Sequence, residues 1–275
     1  MSSTELSIFL GGGSPPPARP AQRRGAGPAN AGLIALAIKL AKSAKFILLL
    51  ASVAAYSLLM SWQAALVLVL GLCCHEYGHV WAMRRRNIPT KGFYLIPFVG
   101  GICAPSRPFQ SRSEEAFIAS MGPVFGLAAT PLCLALAFAI TGTIPAAARI
   151  VEFVVFLNLF NLLPIVPMDG GRMLRACVAS FSRQAGAAML FLGFAAAVVL
   201  AFAWHAWILV WVAMLAVFEI RAERRRGRGV AALPKWTAFG WIGTYLGIMA
   251  AGMVLMVACN AVATGPDLLG ALQRF

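Results

Sequence analysis

Two histidines four positions apart, His75 and His79, stand with Glu76 in an almost unbroken apolar run, LGLCCHEYGHVWA, over residues 70–82. On a helix, side chains at i and i+4 lie about 40° apart, so both rings point to one side. One helix can therefore offer two imidazole nitrogens to a zinc ion. A glutamate directly after the first histidine is then placed to take a proton from water that the metal activates. The whole chain has only three histidines, and two of them are here. The alternative is a pair of buried histidines bonded to carbonyls. Ionisable groups at membrane depth are costly, which favours a functional cluster.

Two histidines do not complete a catalytic zinc site, which takes three protein ligands and leaves a position open. His205 lies in WHAW, expected at the opposite membrane face as part of an aromatic belt. A carboxylate must be sought, and the chain has two aspartates. Asp267 falls in the C-terminal tail. Asp169 follows the apolar stretch 148–166, at the depth of the histidines. Pro164 and Pro167 interrupt helix bonding there, and Gly170 and Gly171 permit a sharp turn, so the backbone can aim a side chain inward. An aspartate that merely caps the next helix is the other reading.

The elements that must position these groups are membrane helices. The chain is 60% hydrophobic and 12% charged, whereas a soluble domain averages about 45–50% apolar and 25% charged. Apolar runs of spanning length predict an all-α polytopic membrane protein with six to seven transmembrane helices. The net charge of +14 fits cytoplasmic loops meeting anionic lipid. No aromatic-rich soluble module accompanies it, which argues against nucleic acid. Six cysteines, with no CxxC spacing, read as small buried apolar residues.

In order, residues 1–30 read as a disordered tail rich in Gly, Pro and Arg. Residues 31–61 hold a basic interfacial helix and a first span over 46–60. Residues 62–183 form the catalytic core, 184–260 further spans, and 261–275 a tail. Within the core, a span over 63–83 carries the histidines and runs into Arg84, Arg85 and Arg86, which places that end in the cytoplasm. The stretch 87–109 is apolar yet rich in Pro and Gly. The Gly100-Gly101 pair signals a hairpin, read as a re-entrant β-hairpin lining a cavity because bare strands cannot face lipid. Spans are expected at 116–140, 148–166, 184–203, 208–220 and 236–259. Arg172, Arg175 and Arg183 again mark the cytoplasmic side. Gly240, Gly243, Gly247 and Gly252 of the last span are expected to serve close helix packing.

HEYGH on a membrane helix, Gly122-Pro123 after an apolar hairpin, and NLLPIVPMDGG over 161–171 together resemble the site-2 protease family of intramembrane zinc metalloproteases. The resemblance covers residues 70–177. It implies one Zn2+ held by His75, His79 and Asp169, with Glu76 as the catalytic base. It implies that Asn161 steadies the substrate backbone. The hairpin, with Gly100 and Gly101, would offer an edge to an unwound substrate. The implied partners are a transmembrane protein substrate and the lipid bilayer. Met168 stands where leucine is usual before the aspartate, and Gly126 where many members have asparagine. No PDZ insertion or CBS module is visible. The expected setting is a bacterial or archaeal cytoplasmic membrane, with the site and N-terminus toward the cytoplasm. Two rival readings remain: an inactive membrane scaffold of the same fold and a membrane metal transporter.

Overall fold

The computed structural model describes residues 44–98, 100–203 and 232–265. The predicted N-terminal tail, the basic helix before residue 44, the WHAW turn, the span at 208–220 and residues 266–275 lie outside the described residues, whereas residues 261–264, predicted as the start of the C-terminal tail, are still helical.

The first described helix, α1 (Ala44–Ser57), ends three residues before the predicted span does. Ser61 caps α2 (Trp62–Arg85) by accepting a bond from the Ala64 N–H at 3.3 Å, which satisfies one of the free donors of a helix start. Arg84 and Arg85 close α2, where positive charge suits the C-terminal end of the dipole. Asn87, at φ 51°, turns the chain out of the helix.

Strands β1 (Thr90–Ile96) and β2 (Gly100–Pro105) pair antiparallel. Phe93 faces Cys103, Leu95 faces Gly101 and Ile96 faces Gly100. The glycine pair is not the turn, as its spacing suggested. The turn passes through Pro97 and Phe98, and Phe98 adopts φ 62°. Both glycines open β2, with consequences for the site described below.

Ser111 caps α3 (Arg112–Ala128) through a 3.1 Å bond from the Glu114 N–H, with Glu114 and Glu115 in the first turn. The predicted single span is divided at Ala129, after which α4 (Thr130–Thr141) starts with Pro131 in its first turn. Proline fits there because a first-turn N–H would be unbonded anyway. Gly142, at φ 73°, ends α4. Helix α5 (Ile144–Asn161) stops five residues short of the predicted limit at 166. The proline-containing segment 162–168 follows, and α6 (Asp169–Phe181) begins at the aspartate itself. Helices α7 (Arg183–Ala203) and α8 (Lys235–Thr264) complete the described chain.

Among the described residues, four segments are long and apolar enough to cross a membrane: α2, α3 with α4, α5, and α8. The chain is an integral membrane protein, mostly helical, with one small sheet among the described residues. Its core joins Val67 and Leu68 of α2, Ala119 and Leu127 of α3, Val151, Val154 and Val155 of α5, Met173 of α6 and Tyr245 of α8. The expected glycine packing of α8 holds at one position. Gly252 lies against Leu159, but among the described residues nothing lies within 4 Å of where a Cβ on Gly240, Gly243 or Gly247 would stand.

Candidate metal centre

Helix α2 buries His75, Glu76 and His79, each less than a tenth exposed. From the start of α6, Asp169 reaches both rings. Its Oδ2 lies 3.0 Å from His75 Nε2 and 3.3 Å from His79 Nε2, and the two Nε2 atoms are 3.2 Å apart. Ligand atoms about 2.0–2.1 Å from a tetrahedral zinc stand about 3.3–3.4 Å from one another. The triangle has the size that such an ion needs.

The other ring nitrogens fix what the triangle offers. His79 Nδ1 lies 2.8 Å from the Ile118 carbonyl oxygen, which can only accept, so that nitrogen carries the proton. His75 Nδ1 lies 3.0 Å from Asn158 Oδ1, and Asn158 Nδ2 donates to the Val154 carbonyl at 2.8 Å. The amide oxygen therefore faces His75, whose Nδ1 also carries its proton. Both Nε2 lone pairs then meet a carboxylate oxygen at one point. Three acceptors without a donor repel one another, and a divalent cation relieves that repulsion. The residues fit a zinc ion on this chemistry.

The fold reaches this geometry through close backbone approach. A Cβ on Gly122 of α3 would stand 2.8 Å from His75 Nε2, and one on Gly78 of α2 would stand 2.9 Å from Phe125 Cβ. The two helices meet across these glycines, which brings the Ile118 carbonyl to His79. Gly170 abuts the backbone of Leu162, and Gly171 that of Ile165 and Val166, so segment 162–168 folds tightly over the start of α6. Tyr245 of α8 donates its hydroxyl to the Leu162 carbonyl at 2.9 Å, giving the end of α5 a partner. Glu115 of α3 pairs with Arg175 of α6 and with Arg112 at 3.1 Å, all buried. This joins the helix that carries Ile118 to the helix that carries Asp169. Arg175, expected among the arginines that mark one membrane face, spends its charge on this buried ion pair.

The model for peptidase family M50 matches residues 63–154 and 146–204, together more than half of the chain. The chain belongs to peptidase family M50. Two relatives of this chain carry names as zinc metalloproteases. Rip3 of Mycobacterium tuberculosis is 32% identical over 124 residues, which is 43% of this chain and 31% of Rip3. The protein sll0528 of Synechocystis sp. is 31% identical over 123 residues, 42% of this chain and 31% of its own. The matched part thus spans about a third of the length of these curated relatives. Among solved structures, the site-2 protease from Methanocaldococcus jannaschii is 23% identical with a TM-score of 0.45. That likeness covers 65% of this chain and 87% of the other.

The remaining site residues of this M50 chain fall unevenly. Glu76 lies beside the triangle, with one ligand atom each from His75, Glu76 and His79 lying within 4.8 Å of one another. Gly101 packs its backbone directly on the Glu76 carboxylate and leaves no space for a Cβ, whereas Gly100, at φ 96°, faces open space. Asn161 is half-buried and lines a small cavity beside His75, with Leu68, Leu72, Val154 and Asn158. The asparagine that touches a ring is Asn158, which sequence reasoning missed. A signal existed: it is a polar residue on the stripe Ala147, Ala148, Val151, Val154 and Val155 that α5 buries. The Ile118 carbonyl left no signal in any side chain.

Proposed function

We propose that this chain is an intramembrane zinc metalloprotease that hydrolyses a peptide bond within or near the transmembrane segment of a membrane protein. The observation that carries the reading is the meeting of three acceptor atoms, from His75, His79 and Asp169, beside the buried carboxylate of Glu76. Zinc bound there supplies Lewis acidity, which acidifies water and polarises a carbonyl.

The protein's own groups do the rest. Glu76 takes a proton from water as the water oxygen bonds to the scissile carbonyl carbon. It returns that proton to the amide nitrogen as the C–N bond breaks, which leaves a carboxylic acid and an amine, and the acid's proton then passes to the amine to give carboxylate and ammonium. The Asn161 amide, on the cavity wall next to His75, holds the substrate backbone. A peptide in a membrane helix has its amides bonded internally, so it must unwind before it is cut. Strand β2 runs past Glu76 at Gly101, and an unwound segment laid along the sheet regains backbone hydrogen bonds. In this reading the hairpin is re-entrant, and Arg84, Arg85 and Arg86 mark the site's side of the membrane as cytoplasmic.

The deciding experiment replaces Glu76 with Gln in the full chain and follows a co-expressed single-span substrate. Cleavage is expected to fall by about 100- to 10,000-fold while zinc content stays at one per chain. Cleavage at the wild-type rate would remove Glu76 as the base. Zinc binding with no cleavage of membrane substrates by the wild-type chain would favour the inactive scaffold.

A further inference from the structure

The two histidines are held in different ways. His79 takes its Nδ1 partner from a backbone carbonyl, that of Ile118, which no substitution deletes. His75 takes its own from one side chain, Asn158, which is 3% exposed and comes from another helix. A carboxamide can present either end, and the wrong end would face His75 with an N–H. That would ask His75 Nδ1 to be the acceptor, move the proton to Nε2 and remove the lone pair from the triangle. Two features prevent it. The Val154 carbonyl accepts a 2.8 Å bond from Nδ2 and so anchors the nitrogen end. On the far side, Gly126 of α3 leaves no room for a Cβ, which would collide with Oδ1 and stand 2.7 Å from Cγ and 2.8 Å from Nδ2.

We propose that Asn158 is a positioning residue of the metal centre: anchored on Val154 and confined by Gly126, its amide fixes the tautomer and ring plane of His75 and so sets metal affinity. The proposal rests on the zinc-protease reading. Asn158 acts only through His75. Gly126 acts only through Asn158, by leaving the amide its space. The glycine at 126 and the asparagine at 158 form one unit spread over two helices.

The test measures zinc affinity of the full chain in detergent micelles by chelator competition, with the absorption spectrum of the Co2+-loaded protein as a second readout. Asn158→Leu, close in volume but without an acceptor, should lower zinc affinity about 10- to 100-fold and alter the Co2+ spectrum. Asn158→Asp keeps an acceptor at the same reach and should rescue affinity to within about tenfold of wild type. Gly126→Ala should imitate Asn158→Leu, and the double variant should be no worse than either, since the two act through one contact. A purely packing role predicts the reverse: Asn158→Asp as poor as Asn158→Leu, or zinc affinity unchanged in both. Either result overturns the proposal. If the leucine variant does not fold, Gly126→Ala and Asn158→Asp decide alone, and wild-type zinc affinity in the alanine variant overturns it. A wild-type chain that binds no zinc sinks the protease reading instead, a separate and recognisable outcome.

Discussion

Helices α2 and α8 are both apolar enough to cross a membrane, yet 67% of the α2 span is buried in the protein against 6% for α8. The more buried helix is the one that carries His75, Glu76 and His79. In lipid the hydrophobic effect does not sort helices into inside and outside, because hydrocarbon is as apolar as a leucine core. What is sorted inward is the polar group, which must find partners in protein. The glycines repeat the contrast. Gly71 and Gly78 of α2 each touch another helix, with a Cβ on Gly71 standing 3.2 Å from Val154 Cγ2. Three of the four glycines in the α8 span lie open among the described residues. Close approach is used where side chains must meet at bonding distance, and less along a helix most of whose side chains face outward.

Substitutions can break that contrast, starting with the largest expected effect. Asp169→Ala removes one corner of the triangle. Its loss of zinc should exceed the about 10- to 100-fold cost of losing an outer partner, and metal analysis of the purified chain checks it. Glu115→Ala leaves Arg112 and Arg175 without their shared carboxylate in a buried site. Breaking such a pair costs about 3–5 kcal/mol, read as a lowered thermal unfolding midpoint in detergent. Gly78→Ala forces a methyl between α2 and α3, a cost of about 1–3 kcal/mol by the same measurement. Gly243→Ala in α8 should fall within about 0.5 kcal/mol of wild type, as surface changes do. A loss at Gly243 as large as at Gly78 would show that α8 has a packed neighbour and that the contrast between the helices is false.

Much of the centre was legible beforehand for local reasons. The i, i+4 spacing of His75 and His79 sets their common face on any helix. Scarcity of aspartate in an apolar chain singled out Asp169, and the structure carries it to within 3.3 Å of both rings. The hairpin was legible from composition, but its turn was not. Gly100-Gly101 looked like the reversal because glycine favours turns. In the fold Gly101 is needed elsewhere, where the Glu76 carboxylate lies against the strand and excludes a Cβ. The span over 116–140 was read as one because its hydropathy is continuous, and it does form one spanning segment, but hydropathy does not register the change of helix at Ala129.

The sequence by itself determined that this is a membrane protein and which ionisable residues are the candidates to meet a metal, since span length, charge scarcity and helical spacing are properties of one segment at a time. Only the tertiary structure decided that Asn158 bonds His75, that a carbonyl of α3 orients His79, and that Gly101, Gly122 and Gly126 border the site. Those facts depend on how closely separate helices and strands approach, and that distance is fixed by the packing of all of them together.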